Sequence, residues 1–238
     1  MRKIVFLMLL AIVMSVSLSQ AGFLDNAVNA VKGFTSKTSD NNTTVISGLK
    51  EALSIGTRNA VGNVSRVDGY FSNEFIKIIM PDSIRNVADV LSKVGFSKQV
   101  DDFVLSMNRA AENAGPKALS LFVDAIKQMS FEDAKKILNG GDTAATKFFK
   151  EKTHGNIYNA FKPAITTSMN DVGVTRMYKQ MMNKYNTLPL VPKKSVDLDD
   201  YVTNKAMDGL FYMVGEEEKK IRTDPAARVT DLLKEVFK

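Results

Sequence analysis

Residues 97–138, SKQVDDFVLSMNRAAENAGPKALSLFVDAIKQMSFEDAKKIL, carry the pattern that decides the fold. Val100, Phe103, Val104, Met107, Ala111 and Ala114 recur at spacings of three and four, which places them on one face of a helix. Ser97 is the expected N-cap of that helix. Gly115 ends it, and Pro116 opens the next at the first helical position, where the missing amide costs nothing. Leu119, Phe122, Val123, Ile126 and Met129 line the second helix. Ser130 followed by Asp133 forms a capping box with Asp in the usual Glu position. Ala134, Ile137 and Leu138 then lead to a stop at Gly140-Gly141. Three amphipathic helices joined by short connections predict an all-α fold.

The same period continues on both sides. Toward the N-terminus, Ile84, Val87, Ala88, Leu91 and Val94 form a stripe between Pro81 and Gly95. Further back, from Val45, Ile46, Leu49, Leu53, Ala60, Val61 and Val64 keep helical spacing. Gly48, Gly56 and Gly62 each weaken that helix by up to about 1 kcal/mol, so it must lean on tertiary packing. DGYFSNEFIKIIM, residues 68–80, lies between these two stripes.

Toward the C-terminus, Asp142 is the expected cap of TAATKFFKEKT, in which Phe148 and Phe149 supply an apolar anchor. NIYNAFKPAITTSMNDVG follows, with Pro163 as a kink or a break, and then VTRMYKQMMNKY. NTLPLVPKKSV, residues 186–196, has no helical period and reads as a loop, or as a strap that lays Leu188, Leu190 and Val191 over the bundle. Asp197 caps a long helix with Asp199 and Asp200 in its first turn, the sign preferred at the positive end of the macrodipole. Leu198, Val202, Ala206, Leu210, Met213, Val214 and Ile221 form its stripe. Asp224-Pro225 restarts the chain, and Val229, Leu232, Leu233, Val236 and Phe237 line a last helix. No stretch combines sustained period-two alternation with hairpin turns. The expectation is a single all-α, multi-helix, bundle-like domain over residues 45–238.

The first 44 residues are of another kind. Arg2 and Lys3 precede an apolar run from Ile4 to Met14, and Ser19 and Ala21 occupy the small-residue positions of a cleavage site. This is the pattern of a secretory signal, residues 1–21, cut after Ala21. The run is too short for a permanent span, which needs about 20 apolar residues. Residues 22–44 read as a short amphipathic helix, with Phe23, Ala27, Ala30, Val31 and Phe34 on one face, followed by a polar linker. The expected location is the periplasm. The chain has no cysteine, which excludes a lipid-modified N-terminal cysteine, disulfides, thiolate metal sites and cysteine nucleophiles.

Removal of Arg2 and Lys3 with the signal lowers the net charge from +6 to +4, with 30 Lys and Arg against 26 Asp and Glu. That balance is interleaved along the chain and carries no nucleic-acid motif. It allows weak contact with an anionic membrane surface and argues against a nucleic-acid partner. His154 is the only histidine, and its place in KTHGN reads as a helix end, where an imidazolium stabilises the last carbonyls. Neither a Ser-His-Asp arrangement nor an HExxH helix is present, and NGGDT lacks the ligand ladder of a calcium loop. No catalytic residue, metal site or cofactor is assigned.

The block EEEKKIRTDPAAR, residues 216–228, reads as the solvated side of two helices. Glu216 to Lys220 and Glu218 to Arg222 are four apart with the acid first, the stabilising order. Arg222 and Arg228 also flank a tight corner, where their guanidinium forks could hold a carboxylate or phosphate or tie the corner together. Methionines crowd the last third of the chain. Met177, Met181, Met207 and Phe211 are the candidates for an apolar groove between VTRMYKQMMNKY and YVTNKAMDGLFYMV, against the alternative of ordinary core packing.

YVTNKAMDGLFYMVGEEEKKIRTDPAARVTDLLKEVF, with FFKEKT and VGVTRMYKQM upstream, resembles the secreted bacterial family called domain of unknown function 4197, over roughly residues 45–237. The YVT start, the DGLF step and the IR-DPAAR-TDLL corner occur together and in order. The resemblance implies a helical envelope protein and no particular activity. Without a lipobox cysteine, a soluble rather than lipid-anchored member is expected. The functional expectation is a non-catalytic periplasmic binding or interaction protein for a hydrophobic ligand or an envelope protein's helix. The alternatives are a carboxylate-based hydrolase of envelope polymers and a peripheral membrane protein attached through FLDNAVNAVKGF.

Overall fold

The computed structural model describes residues 41–171, 173–187, 196–228, 230 and 234. Among these, every regular element is helical, as the periodicity predicts. In chain order they are α1 (Asn41–Ser65), α2 (Asp82–Leu91), α3 (Ser97–Ala114), α4 (Ala118–Gln128), α5 (Phe131–Leu138), α6 (Ala144–Asp171), α7 (Val174–Asn186) and α8 (Leu198–Thr223). The signal sequence, the 23–34 helix, the Leu188, Leu190 and Val191 strap and the stripe from Val229 to Phe237 lie outside the described residues. α1 begins at Asn41, so the last four residues expected as linker belong to the helix.

Each helix contributes to one continuous core, through Leu49, Ile84, Phe103, Phe122, Ile137, Phe161, Met181 and Leu210 in turn. Full burial of one such side chain contributes about 1.5–3 kcal/mol. α6 and α8 pack on each other. α1 packs on α8 and α4, while α7 packs on α2, α3 and α6.

Local chemistry accounts for several boundaries. At the start of α5, the Asp133 amide donates to Ser130 Oγ (3.1 Å) and the Ser130 amide donates to Asp133 Oδ2 (3.1 Å), the predicted box. The hydrogen bonds from the Ser130 hydroxyl and amide hold the Asp133 carboxyl below its ordinary value. Asp197 accepts from the Asp200 amide at the start of α8. Ser97, however, does not cap α3. The chain turns from α2 into α3 through Val94 and Gly95, whose φ of 95° suits glycine. That twist takes Val94 out of the α2 stripe and leaves it exposed.

α6 corrects a second expectation. The sequence predicts a helix end at His154, before Gly155, and a kink or a break at Pro163, yet one helix runs through both to Asp171. Phe149, Thr153, Ile157, Phe161, Ile165 and Met169, each four residues after the last, are all buried. Packing of this seam outweighs the local cost of one glycine and one proline. His154 is therefore exposed in mid-helix and not at a C-terminus.

Residues 68–80 form an irregular strap. Ile76, Ile78 and Met80 are buried, while Phe75 before them and Ile79 among them are exposed. Asn108 on α3 stands in for a neighbouring strand. Its Oδ1 accepts from the Ile78 amide and its Nδ2 donates to the Ile78 carbonyl, both at 2.8 Å. Glu112 Oε1 accepts from the amides of Tyr70 (3.1 Å) and Phe71 (3.3 Å). Arg109 links Glu112 (2.6 Å) to Asp68 (2.7 Å). From the other side, the buried Tyr70 hydroxyl donates to the Ala206 carbonyl (2.6 Å), and the Tyr201 hydroxyl donates to that of Ile79 (3.0 Å). Gly209 makes this approach possible, because a Cβ there would lie 2.6 Å from Tyr70 Cε1.

Candidate functional site

A groove of about 560 Å³ runs between α7 and the α2–α3 corner. Met177 and Met181, one turn apart on α7, face Leu91 of α2 and Phe96 of the corner across it. The Gly95 twist positions Phe96 there. Gln99, Gln180, Asn183 and Thr187 add hydrogen-bonding groups to the lining, and Lys184 is the cation of this wall. Its Nζ lies 5.9 Å from the centre of the Phe96 ring, a cation–π distance. Asp102, the acid of the lining, accepts from Lys98 Nζ at 2.6 Å.

The structure thus brings together two of the predicted methionines and separates the other residues. The groove was expected between α7 and α8, but α7 packs on α2, α3 and α6. Met207 and Phe211 on α8 are buried in the core. Phe211 packs edge-on to Phe122 (6.1 Å) and stacks with His154 (6.3 Å, 7° between planes). Leu91, Phe96 and Gln99 were not anticipated as site residues. The unusual pair Val94-Gly95 near a helix end was the available signal.

The charge block is also rearranged. Glu216, Lys219 and Lys220 are exposed as expected, whereas Glu217 and Glu218 are buried. Glu217 accepts from Asn59 Nδ2 on α1 (2.9 Å). Glu218 reaches the N-terminus of α6, where its oxygens accept from the Ala145 amide (2.9 Å), the Thr146 amide (2.8 Å) and the Thr146 hydroxyl (2.8 Å). Those are orphan donors of the first helical turn. A carboxylate from a distant helix does the work expected of Asp142. Arg222 donates to Glu218 through Nε (3.1 Å) and Nη2 (2.9 Å), and to the Ile137 carbonyl at the end of α5 (2.9 Å). Arg228 donates to the carbonyls of Ile221 (3.1 Å) and Arg222 (2.8 Å) as α8 ends. Both arginines tie the corner together.

The two acids in the first turn of α8 are engaged in a similar way. Asp199 accepts from the Thr166 hydroxyl (2.8 Å), and Asp200 from that of Tyr158 (2.5 Å), which joins the start of α8 to α6. Lys162 donates to Tyr158 (3.0 Å). That bond, with Asp200 and Asp197 nearby, raises the Lys162 pKa against partial desolvation. Among the described residues, no group of three or more His, Asp or Glu could hold a metal ion, and no helix is long and apolar enough to cross a membrane.

The steps on which the family resemblance rests have structural roles here. Tyr201 of YVT holds the strap, Gly209 of DGLF seats Tyr70, and Asp224 of DPAAR accepts from the Ala226 amide (2.9 Å). Among curated proteins and solved structures, none matches the chain. A family model does match it over residues 39–238, and the chain accordingly belongs to the family described as Protein of unknown function (DUF4197).

Proposed function

We propose that this protein is a non-catalytic binding protein of the bacterial envelope, exported to the periplasm by residues 1–21, and that it holds an apolar ligand in the groove between α7 and the α2–α3 corner. The observation that carries this reading is the apolar wall of Leu91, Phe96, Met177 and Met181 around about 560 Å³. That volume lies within the roughly 300–1,000 Å³ of small-molecule sites, which pair an apolar lining with a few polar groups. Methionine suits such a wall, because its flexible thioether adapts to ligands of different shape. A carboxylate-based hydrolase would need two acids across a cleft. The acid in this lining, Asp102, is paired with Lys98.

The test is native mass spectrometry of the protein purified gently from the periplasm, followed by solvent extraction. The expected result is a stoichiometric apolar adduct, lost when Met177 is replaced by Lys in a variant that keeps its far-UV circular dichroism. A bare protein mass, together with no uptake of a fluorescent fatty acid, would overturn the reading.

A further inference from the structure

The interleaving of charge that holds along most of the chain breaks at the groove. Its two walls are α7 and residues 92–100, which make the corner and the first turn of α3. They contain Lys93, Lys98, Arg176, Lys179 and Lys184 and no aspartate or glutamate. In the lining, Asp102 is engaged by Lys98, while Lys184 is in no ion pair among the described residues. Arg176 lies on the same edge of α7 as the lining residues Gln180, Asn183 and Thr187, at spacings of four, three and four. Helix stability does not account for this placement. A lysine in the last turn of α7 suits the negative end of the macrodipole, but Arg176 stands in the first turn of α7 and Lys98 in that of α3. Those ends favour acids, and neither first turn holds one.

A cleft with apolar walls and charges of one sign concentrates its potential and attracts a ligand of the other sign. We propose that the ligand of this groove is a single-chain amphiphile with an anionic head, as a free long-chain fatty acid is. Its hydrocarbon lies against Leu91, Phe96, Met177 and Met181, and its carboxylate meets Lys184. This inference rests on the groove being a ligand site and adds the class of ligand. A free chain is the occupant that suits the walls, because Leu91 and Met181 are recessed, at 2% and 4% exposed. Insertion into an anionic bilayer instead needs an apolar face that stands out of the surface.

Isothermal titration of the purified protein with decanoate, decanol and decyltrimethylammonium, matched in chain length and kept below micelle formation, tests it. Decanoate is expected to bind about fivefold tighter than decanol, the upper range for a solvent-exposed ion pair, and the cationic amphiphile should bind weakest. The preference for decanoate should shrink in high salt. Lys184 is exposed, so Lys184→Met should fold normally and bring decanoate to the affinity of decanol. Decanol itself should bind that variant as it binds the wild type, which reports an intact groove. Equal affinities of the wild type for decanoate and decanol would overturn the anionic head and leave the apolar groove standing. A preference that survives Lys184→Met would overturn the placement of the head. Failure of all three to bind would overturn both readings. Flotation with phosphatidylglycerol vesicles, without uptake of monomeric decanoate, would overturn the proposal in favour of a membrane surface.

Discussion

Glu218 sits at a position of α8 that the helical period assigns to the core, since Leu210, Val214, Glu218 and Ile221 follow one another at spacings of four, four and three. Its burial is tolerable because two backbone amides, a hydroxyl and a guanidinium all donate to it. Replacing it by alanine takes one member from a buried ion pair and uncaps α6. The expected cost is about 3–5 kcal/mol, measured by urea denaturation. Glu218→Gln should cost less, because the amide keeps an acceptor oxygen for Ala145 or Thr146. Glu216→Ala, two residues away and exposed, should stay within about 0.5 kcal/mol. Equal effects at 216 and 218 would show that the buried network contributes nothing. The pairing with Arg222 was legible as an i,i+4 spacing. The burial was not, because reading charge as solvated overrode the register of the stripe.

At the scale of elements, the strap depends on two side chains of α3. Asn108 and Glu112 are both buried and provide the hydrogen bonds that a neighbouring strand would supply. Asn108→Ala leaves the Ile78 amide and carbonyl without these partners, at about 1–3 kcal/mol for each unsatisfied group. Hydrogen exchange of peptides spanning residues 74–80 should accelerate by at least about tenfold through local opening, while peptides of α4 keep their wild-type rate. Unchanged exchange at 74–80 would mean that other contacts hold the strap. FIKIIM is apolar at five of its six positions, so the alternation of buried Ile76, Ile78 and Met80 with exposed Phe75 and Ile79 is not written in the sequence and gave no element. The long α6 was misread for the opposite reason. Its glycine and proline are visible locally, and the i+4 seam that outweighs them matters only once it meets the core.

For the whole molecule, the shared core couples these parts, and two tyrosines, the buried Tyr70 and the half-buried Tyr201, make stability depend on alkaline pH. Burial, with Glu112 adding, holds the Tyr70 pKa far above its ordinary value. Burial, with Asp82 adding and Arg85 opposing, raises that of Tyr201. Unfolded tyrosines lose their protons near pH 10, while the folded protein keeps them. Their contribution is therefore complete below about pH 10 and falls as pH rises through and above it. Urea midpoints should drop as the pH rises from about 10 to 11 and beyond. Tyr70→Phe should flatten that fall, at a constant cost of about 1 kcal/mol for the lost bond to Ala206. A midpoint that does not fall in this range would contradict the assignment. By itself, the sequence determined the helical class, most helix positions, the Ser130–Asp133 box and the Asp197 cap, because the hydrogen bonds and side-chain periods behind them span only a few residues. Tertiary structure decided that Glu218 caps α6 across 73 residues, that Tyr70 reaches Ala206 across 136, and which methionines face a groove. Each of those outcomes depends on which distant surface arrives to complete the hydrogen bonds or fill the space, and local propensity carries no record of that.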